Sequence, residues 1–481
     1  MRIMAKEKVY LTLRYIFIIC FIFFIIEGIL LSRELHLNFS YLIQIVLLFA
    51  VSFLYLWAAY IKQNRNTKWI DFIKYIVRFS AMEVVLMLFL IYNLLWIIVI
   101  PYFNGISITN SISEAGMIVM LFLFFPIERL LMIGEISLKR YLKIGIVSIL
   151  VLNALTSVTW IVENIKPGTY VTALNVLDRL PIDIFSINEV LEGWGIIRIV
   201  QSNLVWIPVY LFVIISTRQK FKWYHYIFSF ITTFAVLTSY LKSLWLGVGF
   251  GMLVVIIFFL INRKDKKSRI ELIKMVVFLL LSVIILDSVV FGGTIKNRIV
   301  NAFGFTAQES VDISEMGDES ESIDENESFV DFENAEKEVN EKREEEGSKE
   351  SILIRVEQIQ LLVNKWKESP VFGFGYGAYI EGYTRDARIP NYFMFETTFF
   401  ALLMKLGVFG ILVWGATFIF IIVQAWKKIN RMKFAAWLAI LGCFSITIQT
   451  NPLLFNTNSV FLILSLLLYI YEKKEKEPYT L

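Results

Sequence analysis

Four charged side chains that border apolar runs have types that suit chemistry on a phosphate-bearing substrate. They are Arg198 in "RIVQSNLVWIPVYL", Lys242 in "LTSYLKSLWLGVGFG", Arg355 in "SILIRVEQIQLLVNKWKE" and Glu396 in "NYFMFETTFFALLMKLGVFG". An arginine fork matches phosphate oxygens, and a lysine adds a point charge. A carboxylate can accept the proton of a hydroxyl nucleophile. Together the four would bind a pyrophosphate and activate a hydroxyl group beside it.

A glycine-rich turn, "SPVFGFGYGAY", follows the segment that carries Arg355. Glycines at Gly373, Gly375 and Gly377 would let backbone N–H groups approach an anion or a sugar closely. A dinucleotide-binding loop would need a β-strand before it and a βαβ unit around it, and neither is visible. The two cysteines lie in apolar runs and indicate neither a disulfide framework nor a metal site. We therefore predict a site without metal or cofactor, and no nucleic-acid partner.

Each of the four charged residues also has a plain structural explanation, which the sequence leaves open. Lys242 lies at a short joint between two apolar runs, where a lysine can extend its ammonium group to the membrane surface. Arg198 and Arg355 could bind lipid phosphates. Glu396 could cap a helix N-terminus, an interaction that stabilises by roughly 0.3–1 kcal/mol.

Other ionisable residues within apolar runs receive no catalytic role. Glu27, Glu83 and Asp287 have no obvious partners in the sequence. Lys405 follows Glu396 closely along the chain. It therefore either points into the same cavity or pairs with one of those three acids.

The elements that must position these residues are membrane-spanning helices. The chain has 481 residues, 57% of them hydrophobic, with a mean hydropathy of +0.66. Apolar runs of roughly eighteen or more residues can cross a hydrocarbon core as helices, whereas β-barrel strands would give short alternating segments. We predict an all-α polytopic membrane protein with about twelve transmembrane helices and one large external loop. The predicted spans are residues 15–31, 40–61, 79–101, 114–133, 144–163, 199–217, 223–240, 244–262, 272–291, 396–424, 434–450 and 458–471.

The charges of the connecting segments predict which side of the membrane each helix end faces. Basic connections include "KQNRNTK", "RQKFK", "RKDKKSR" and "KKINRMK", whereas "SRELHLN", "PYFNGISITN" and "NPLLFNTN" contain almost no Lys or Arg. Because basic segments tend to stay in the cytoplasm, both termini are predicted to be cytoplasmic. Two long connections, residues 164–198 and 292–395, are then external. The four charged residues and the glycine turn all fall at the external surface.

The chain accordingly divides into three parts. Residues 1–291 hold the first nine helices, with the external loop near 164–198 among them. Residues 292–395 form the large external loop. Residues 396–481 hold the last three helices and a cytoplasmic tail.

Within the large loop, composition and periodicity predict three segments. Residues 306–350 are acidic and poor in bulky apolar residues, which is typical of a disordered linker. Residues 351–369 form an amphipathic helix, and residues 370–378 form the glycine turn. We expect the apolar stripe of this helix to lie on the membrane or to cap a cavity. The stripe consists of Ile352, Val356, Ile359, Val363 and Trp366.

Three stretches of the C-terminal half resemble the O-antigen ligase and O-antigen polymerase superfamily of membrane glycan transferases. "ESILIRVEQIQLLVNKWKESPVFGFGYGAY" is similar to the family's arginine, amphipathic helix with Trp, proline and G-x-G-x-G. "ETTFFALLMKLGVFGIL" resembles the segment that follows, with Gly407 and Gly410 as its Gly-x-x-Gly. "LTSYLKSLWLGVGFG" is similar to the family's Thr-x-Ser-Arg joint, with Lys242 where arginine is common. Arg198 before "QSN" is similar to an arginine that precedes an Asn-containing span.

The resemblance implies transfer of a glycan from an undecaprenyl-pyrophosphate carrier to a hydroxyl of an acceptor, without nucleotide or metal. Arg355 and Glu396 would be catalytic, while Arg198, Lys242 and the three glycines would bind the pyrophosphate and the glycan. Ligases of the family usually carry a histidine in the external loop. This sequence has none there, and Glu396 occupies the comparable place. The departure favours a polysaccharide polymerase, acting on the outer face of a bacterial cytoplasmic membrane in cell-surface, capsule or wall polysaccharide synthesis.

The implied partners are an undecaprenyl-pyrophosphate-linked oligosaccharide, an acceptor glycan and membrane lipids, with other polysaccharide assembly proteins as further candidates. Two other classes of protein remain open. A lipid-linked glycan flippase or another twelve-span transporter would explain the span number, but not the external loop with its helix and glycine turn. The two halves also lack the visible repeats that many carriers have. An assembly scaffold would use the acidic tract as its interaction element.

Overall fold

The structure is a computed structural model, and it describes residues 2–30, 39–63, 68–166, 202–262, 265–293, 295–296, 353–383, 393–450 and 453–471. The described residues form helices and connecting turns, so the all-α class is confirmed. Arg198, most of the loop near 164–198 and the acidic tract 306–350 lie outside the described residues. The end of each helix that the charge pattern predicts to be external is called its outer end below.

The described helices follow one another along the chain with short turns between most of them. Before the large loop they are α1 (Arg2–Leu30), α2 (Phe39–Gln63), α3 (Trp69–Val77), α4 (Ala81–Phe103), α5 (Ile108–Met132), α6 (Leu138–Ile165), α7 (Asn203–Thr217), α8 (Trp223–Thr238), α9 (Lys242–Asn262) and α10 (Lys266–Val290). After it come α11 (353–366), α12 (Thr398–Lys428), α13 (Arg431–Thr447) and α14 (Thr457–Tyr469).

Within the described part of the chain, eight helices are long and apolar enough to cross a membrane. They are α1, α2, α4, α5, α6, α9, α10 and α12. The four remaining predicted spans coincide with α7, α8, α13 and α14, which are shorter. Each predicted span therefore corresponds to a helix, but the total of about twelve is not confirmed by helix length. Much of α13 is buried among its neighbours, and a helix surrounded by protein can be shorter than one that faces lipid.

The closest helix pair, α9 and α13, packs through small residues. A Cβ atom added at Gly247 would lie 2.8 Å from the carbonyl oxygen of Cys443. A Cβ atom at Gly251 would lie 2.5 Å from the ring of Phe212 on α7 and 3.1 Å from the carbonyl oxygen of Ala439. Two glycines one helical turn apart thus let the backbones approach closely, as small residues do at helix contacts in membranes. Cys443 is a small packing residue of this contact.

Two acids that the sequence left without a role have structural partners. Glu83 lies in the first turn of α4, where its Oε2 accepts a hydrogen bond from Ser80 N at 2.7 Å and its Oε1 lies 2.8 Å from Nη2 of Arg129. Asp287 accepts a hydrogen bond from Ile295 N at 2.9 Å and so closes the turn after α10. Both carboxylates hold the ends of helices.

Helix α12 is interrupted at Gly407, whose φ of +63° and ψ of −177° lie outside the helical region. At about 1.5 Å per residue, residues 408–428 measure about 31 Å, which is close to the ~30 Å thickness of a hydrocarbon core. The interruption therefore lies near the outer end of the span. Residues 398–406 continue α12 on the outer side of the interruption.

At the interruption, four backbone groups of α12 hydrogen-bond to the glycine turn and not to one another. In a continuous helix, the N–H groups of residues 408 and 409 would donate to the carbonyls of residues 404 and 405. The four bonds found instead are Val408 N to Pro370 O (2.9 Å), Phe409 N to Val371 O (3.0 Å), Phe374 N to Met404 O (3.2 Å) and Gly375 N to Lys405 O (2.8 Å). All four freed backbone groups are thus paired, as non-helical backbone at membrane depth requires.

Candidate active site

Helix α11 packs on the segment before α12 through Gln358, which is 2% exposed. Its Oε1 accepts hydrogen bonds from the N and Oγ1 atoms of Thr397, at 3.0 and 2.8 Å. Its Nε2 donates to the hydroxyl of Tyr383 at 2.7 Å. Leu362, one turn further on, is fully buried. This polar contact fixes the position of α11 beside the start of α12.

The predicted apolar stripe of this helix is partly exposed and partly packed on the protein, and its expected place on the membrane or over a cavity stays a prediction. Val356, placed on the stripe, is 45% exposed, whereas Gln358 and Leu362 face the protein. Gln358 faces the protein because its amide makes three hydrogen bonds there, which apolar periodicity does not register. The helix also ends at residue 366, earlier than predicted, and Trp366 Nε1 donates to the carbonyl of Pro370 at 3.0 Å.

Arg355 and Glu396, the two predicted catalytic residues, are in direct contact. Nε of Arg355 lies 3.2 Å from Oε2 of Glu396, and the side chains are 35% and 17% exposed. The Nε–H group is not aligned on the oxygen as a hydrogen bond requires, so the contact is an ion pair. Arg355 stands one turn before Gln358, and Glu396 stands directly before Thr397. The same packing of α11 against the start of α12 therefore produces both contacts.

The glycine turn owes its composition to close packing. Gly373, Gly375 and Gly377 have φ values of +67°, +91° and +76°, a region that L-residues with side chains rarely adopt. A Cβ atom at Gly373 would lie 2.6 Å from Gly407 N. A Cβ atom at Gly375 would lie 2.6 Å from the ring of Pro101, and one at Gly377 would lie 2.5 Å from the backbone of α5. The turn thus threads between α12 and the outer ends of α4 and α5.

The amides of these glycines donate within the protein, which differs from the expectation that they face an anion or a sugar. Gly373 N donates to Ser369 O at 3.0 Å, Gly375 N to Lys405 O at 2.8 Å, and Gly377 N to the carboxylate of Glu114 at 2.6 Å. The physical reason is that the packed turn uses its own N–H groups. That of Gly373 bonds within the turn, that of Gly375 at the interruption of α12, and that of Gly377 at α5. A role of the three glycines in substrate binding stays a prediction and would act through the shape of the turn.

Tyr376 anchors the turn to the N-terminal half of the chain. The residue is fully buried, its N–H donates to Trp96 O at 3.1 Å, and its hydroxyl donates to Oδ1 of Asn93 at 2.7 Å. Its carbonyl accepts from Oγ of Ser111 at 2.6 Å. Trp96 Nε1 also donates to the carbonyl of Phe372 at 2.8 Å. Helices α4 and α5 are therefore part of the frame of the site.

Lys405 pairs with Glu114 on α5. The side chain of Lys405 is fully buried, and its Nζ contacts Oε1 of Glu114 and donates to Phe393 O at 2.5 Å. Of the two alternatives left open for Lys405, a pair with Glu27, Glu83 or Asp287 is not the one found, because α5 supplies an acid beside the turn. Sequence reasoning missed Glu114, although it opens the predicted span 114–133 much as Glu396 opens its own.

Lys242 lies at the same end of the helix bundle as the Arg355–Glu396 pair. It begins α9 after a joint in which Tyr240 has a φ of +49°. The outer end of α9 contacts the 3₁₀ turn Ile448–Thr450, and the carbonyl of Ile448 accepts a hydrogen bond from Oγ1 of Thr398 at 2.5 Å. Lys242 is half-buried there. Arg198 lies outside the described residues, so its place in the cluster stays a prediction.

A small cavity adjoins the segment that carries Glu396. Its volume is about 30 Å³, and its lining includes Glu114, Phe395, Thr398, Ala401 and Phe455. Among the described residues, no group of three or more His, Cys, Asp or Glu side chains could hold a metal ion. What the arrangement offers chemically is an arginine, a lysine and a carboxylate at one end of the bundle, next to a partly apolar cavity.

Comparison with protein families gives one match, to the model described as O-Antigen ligase, over residues 227–415. The matched region contains Lys242, Arg355, the glycine turn and Glu396. The match confirms the resemblance of the three motifs and supports the O-antigen ligase superfamily for this region. The family is associated with ligase- and polymerase-type transfer of lipid-linked glycans. Neither the comparison with curated proteins nor that with solved structures gave a match.

Proposed function

We propose that the protein is a polysaccharide polymerase, which transfers glycan repeat units from undecaprenyl pyrophosphate to an acceptor glycan on the outer face of the cytoplasmic membrane. The observation that carries the proposal is the contact of Arg355 with Glu396 at the outer end of the bundle, 3.2 Å between Nε and Oε2. A cation for the leaving group and a carboxylate for the nucleophile are the two groups that this reaction needs.

In the proposed mechanism, Arg355 binds the pyrophosphate of the donor. The bond between the anomeric carbon and a phosphate oxygen breaks, and the leaving undecaprenyl pyrophosphate keeps the electron pair. Arg355 stabilises the negative charge that grows on that oxygen. Lys242, and Arg198 beyond the described residues, would add positive charge for the phosphates.

Glu396 acts on the other substrate. An acceptor hydroxyl oxygen attacks the anomeric carbon from the face opposite the leaving group, so the configuration inverts. The carboxylate of Glu396 takes the hydroxyl proton as the new glycosidic bond forms. In the resting protein Arg355 neutralises Glu396, so a bound pyrophosphate would compete for the arginine and release the carboxylate as a base.

A second candidate is ligation of a finished polymer to a different acceptor, favoured by the description of the matching family. Polymerisation is preferred because the chain has only two histidines, neither of them in the external loop segment that carries Arg355, the glycine turn and Glu396. The division of the chain at residues 291 and 395, the external placement of the site and the cytoplasmic termini belong to this proposal. A transporter would give no reason for the Arg355–Glu396 ion pair together with the docked glycine turn.

The test is Glu396→Gln, which keeps the shape of the side chain but cannot accept the proton. Lipid-linked single repeat units should accumulate on the outer face of the membrane, while the amount of the protein in the membrane is unchanged. The rate of chain growth should fall by about 10²–10⁴-fold, the usual contribution of a general base. Glu368→Gln is the matched control, because that carboxylate is 58% exposed and pairs with Lys365, a neighbour in the same loop segment.

Three other results would each contradict part of the proposal. Near-normal chain growth in Glu396→Gln would exclude this carboxylate as the base, and Asp386 and Glu381 would be the next candidates. Repeat units that accumulate facing the cytoplasm would indicate a transporter. Polymer of normal length that is not attached to its final acceptor would indicate a ligase.

A further inference from the structure

Glu114 lies outside the region that matches the family, yet it enters the site from α5. Its Oε1 contacts the buried ammonium of Lys405, and its Oε2 accepts the N–H of Gly377 at 2.6 Å. The carboxylate thus joins three separate elements, α5, α12 and the glycine turn. Charged groups that are this deeply enclosed are expensive to desolvate, so they need such partners.

The same carboxylate also faces the small cavity beside Glu396. Glu114 lines the cavity together with Thr398 and the rings of Phe395 and Phe455. Its side chain is 12% exposed, whereas that of Lys405 is fully buried. A carboxylate has about four acceptor positions, and the ammonium and the amide occupy two of them. The remaining capacity is available to a donor that enters the cavity.

The size and lining of the cavity define what that donor can be. About 30 Å³ has room for one or two water-sized groups. A space of this size can take a hydroxyl or hydroxymethyl group of a sugar. Aromatic rings provide apolar contact for the carbon atoms of a sugar, while an ionised acceptor gives a strong hydrogen bond to its hydroxyl.

We propose that Glu114, held in place by Lys405 and Gly377, binds a hydroxyl-bearing substituent of the glycan in this cavity and so positions the sugar at Glu396. The inference rests on the proposed function, because it assigns a subsite to the same substrate. Glu114 is a binding residue and not a second base, since two donors already hold its carboxylate.

A double variant separates binding from folding. Glu114→Gln alone would leave the Lys405 ammonium buried without its counter-charge and is expected to destabilise the protein. Glu114→Gln with Lys405→Met removes both charges, and replacing a buried ion pair by groups of similar volume is often neutral for stability. The matched control is Lys365→Met with Glu368→Gln, which neutralises an exposed pair whose atoms lie 2.6 Å apart.

The probe is the soluble repeat-unit oligosaccharide, released by mild acid from the lipid carrier of cells that make this protein. Its binding to the purified full chain is measured by calorimetry, next to the melting temperature and the elongation of lipid-linked repeat units. We expect the Glu114/Lys405 double variant to melt as the wild type does. It should bind the probe about tenfold to hundredfold more weakly, the range for losing a hydrogen bond to a charged group. The control pair should bind normally.

Normal probe binding and elongation by the double variant would overturn the inference and leave a purely structural ion pair. If the double variant fails to fold, Ala401→Leu tests the same cavity by filling it without touching either charge. Unchanged binding in Ala401→Leu would also overturn the inference. A wild type that binds the probe through Glu114 but does not elongate lipid-linked units would refute the proposed polymerase and leave the subsite standing.

Discussion

Nε of Arg355 and Oε2 of Glu396 lie 3.2 Å apart, although a glycine turn and a stretch of loop separate the two residues along the chain. The pair forms because Gln358 and Thr397 hydrogen-bond beside it and align α11 with the start of α12. Since both side chains remain partly accessible, the ion pair itself contributes only roughly 0–1 kcal/mol to stability. Its importance is therefore expected in activity and not in folding.

Exchanging the two charges tests this expectation. Arg355→Glu combined with Glu396→Arg restores an ion pair with reversed polarity, so the melting temperature should stay close to that of the wild type. Elongation of lipid-linked repeat units should be lost, because the cation no longer stands where the pyrophosphate needs it. Elongation at the wild-type rate in the exchanged protein would show that the pair has only a structural role.

Gly407→Ala should disrupt the docking of the glycine turn. A Cβ atom there would overlap the carbonyl of Val371, and alanine does not favour a φ of +63°. Gly415→Ala in the same helix is the control, since it meets no atom within 4 Å. Thermal unfolding in detergent should show a clearly lower melting temperature for Gly407→Ala than for the wild type. For Gly415→Ala we expect unchanged stability, or stability increased by roughly 0.5–1 kcal/mol because a glycine is removed from a helix. Equal melting temperatures would refute the account of the interruption.

Lys242→Ala should abolish chain growth, while Lys242→Arg should retain much of it. A lysine binds phosphate as a point charge, which an arginine can replace where space allows. Lys266→Ala, at the opposite end of the bundle in the predicted topology, serves as the control and should grow normal chains. Polymer of normal amount and length from Lys242→Ala would leave Lys242 as a residue that merely extends to the membrane surface.

The predicted topology can be tested by thiol labelling of intact cells. With Cys20 and Cys443 replaced by alanine, a cysteine in place of Ser322 should react with an impermeant reagent. A cysteine in place of Lys266 should react only after the membrane is permeabilised. The reversed pattern would put the Arg355–Glu396 pair on the cytoplasmic side and exclude the proposed reaction.

The helices could be predicted from the sequence because long apolar runs have few other structures available in a membrane. Arg355 and Glu396 could be singled out because a charged residue that borders an apolar run is unusual, and their catalytic role stays a prediction. Both features can be read from local composition, without information on which residues are in contact in the folded protein.

The remaining features depend on contacts between distant parts of the chain. The docking of α11 depends on one amide, that of Gln358, which apolar periodicity counts as a surface residue. The ion pair of Lys405 with Glu114 joins α12 and α5, and the sequence alone does not show that these two helices are in contact. The three glycines mark a place of close approach, and what approaches them is protein, namely Gly407, Pro101 and the backbone of α5.

The anchoring of Tyr376 by Asn93, Trp96 and Ser111 means that the family-matching region is not a portable module. A fragment of residues 227–415 would carry the arginine, the glycine turn and the carboxylate. It would leave the fully buried hydroxyl of Tyr376 and the N–H group of Gly377 without their partners, Asn93 and Glu114. Grafting that fragment onto another membrane scaffold would transfer its motifs without its architecture. Exchanging this region between relatives would therefore require α4 and α5 to be moved together with the glycine turn.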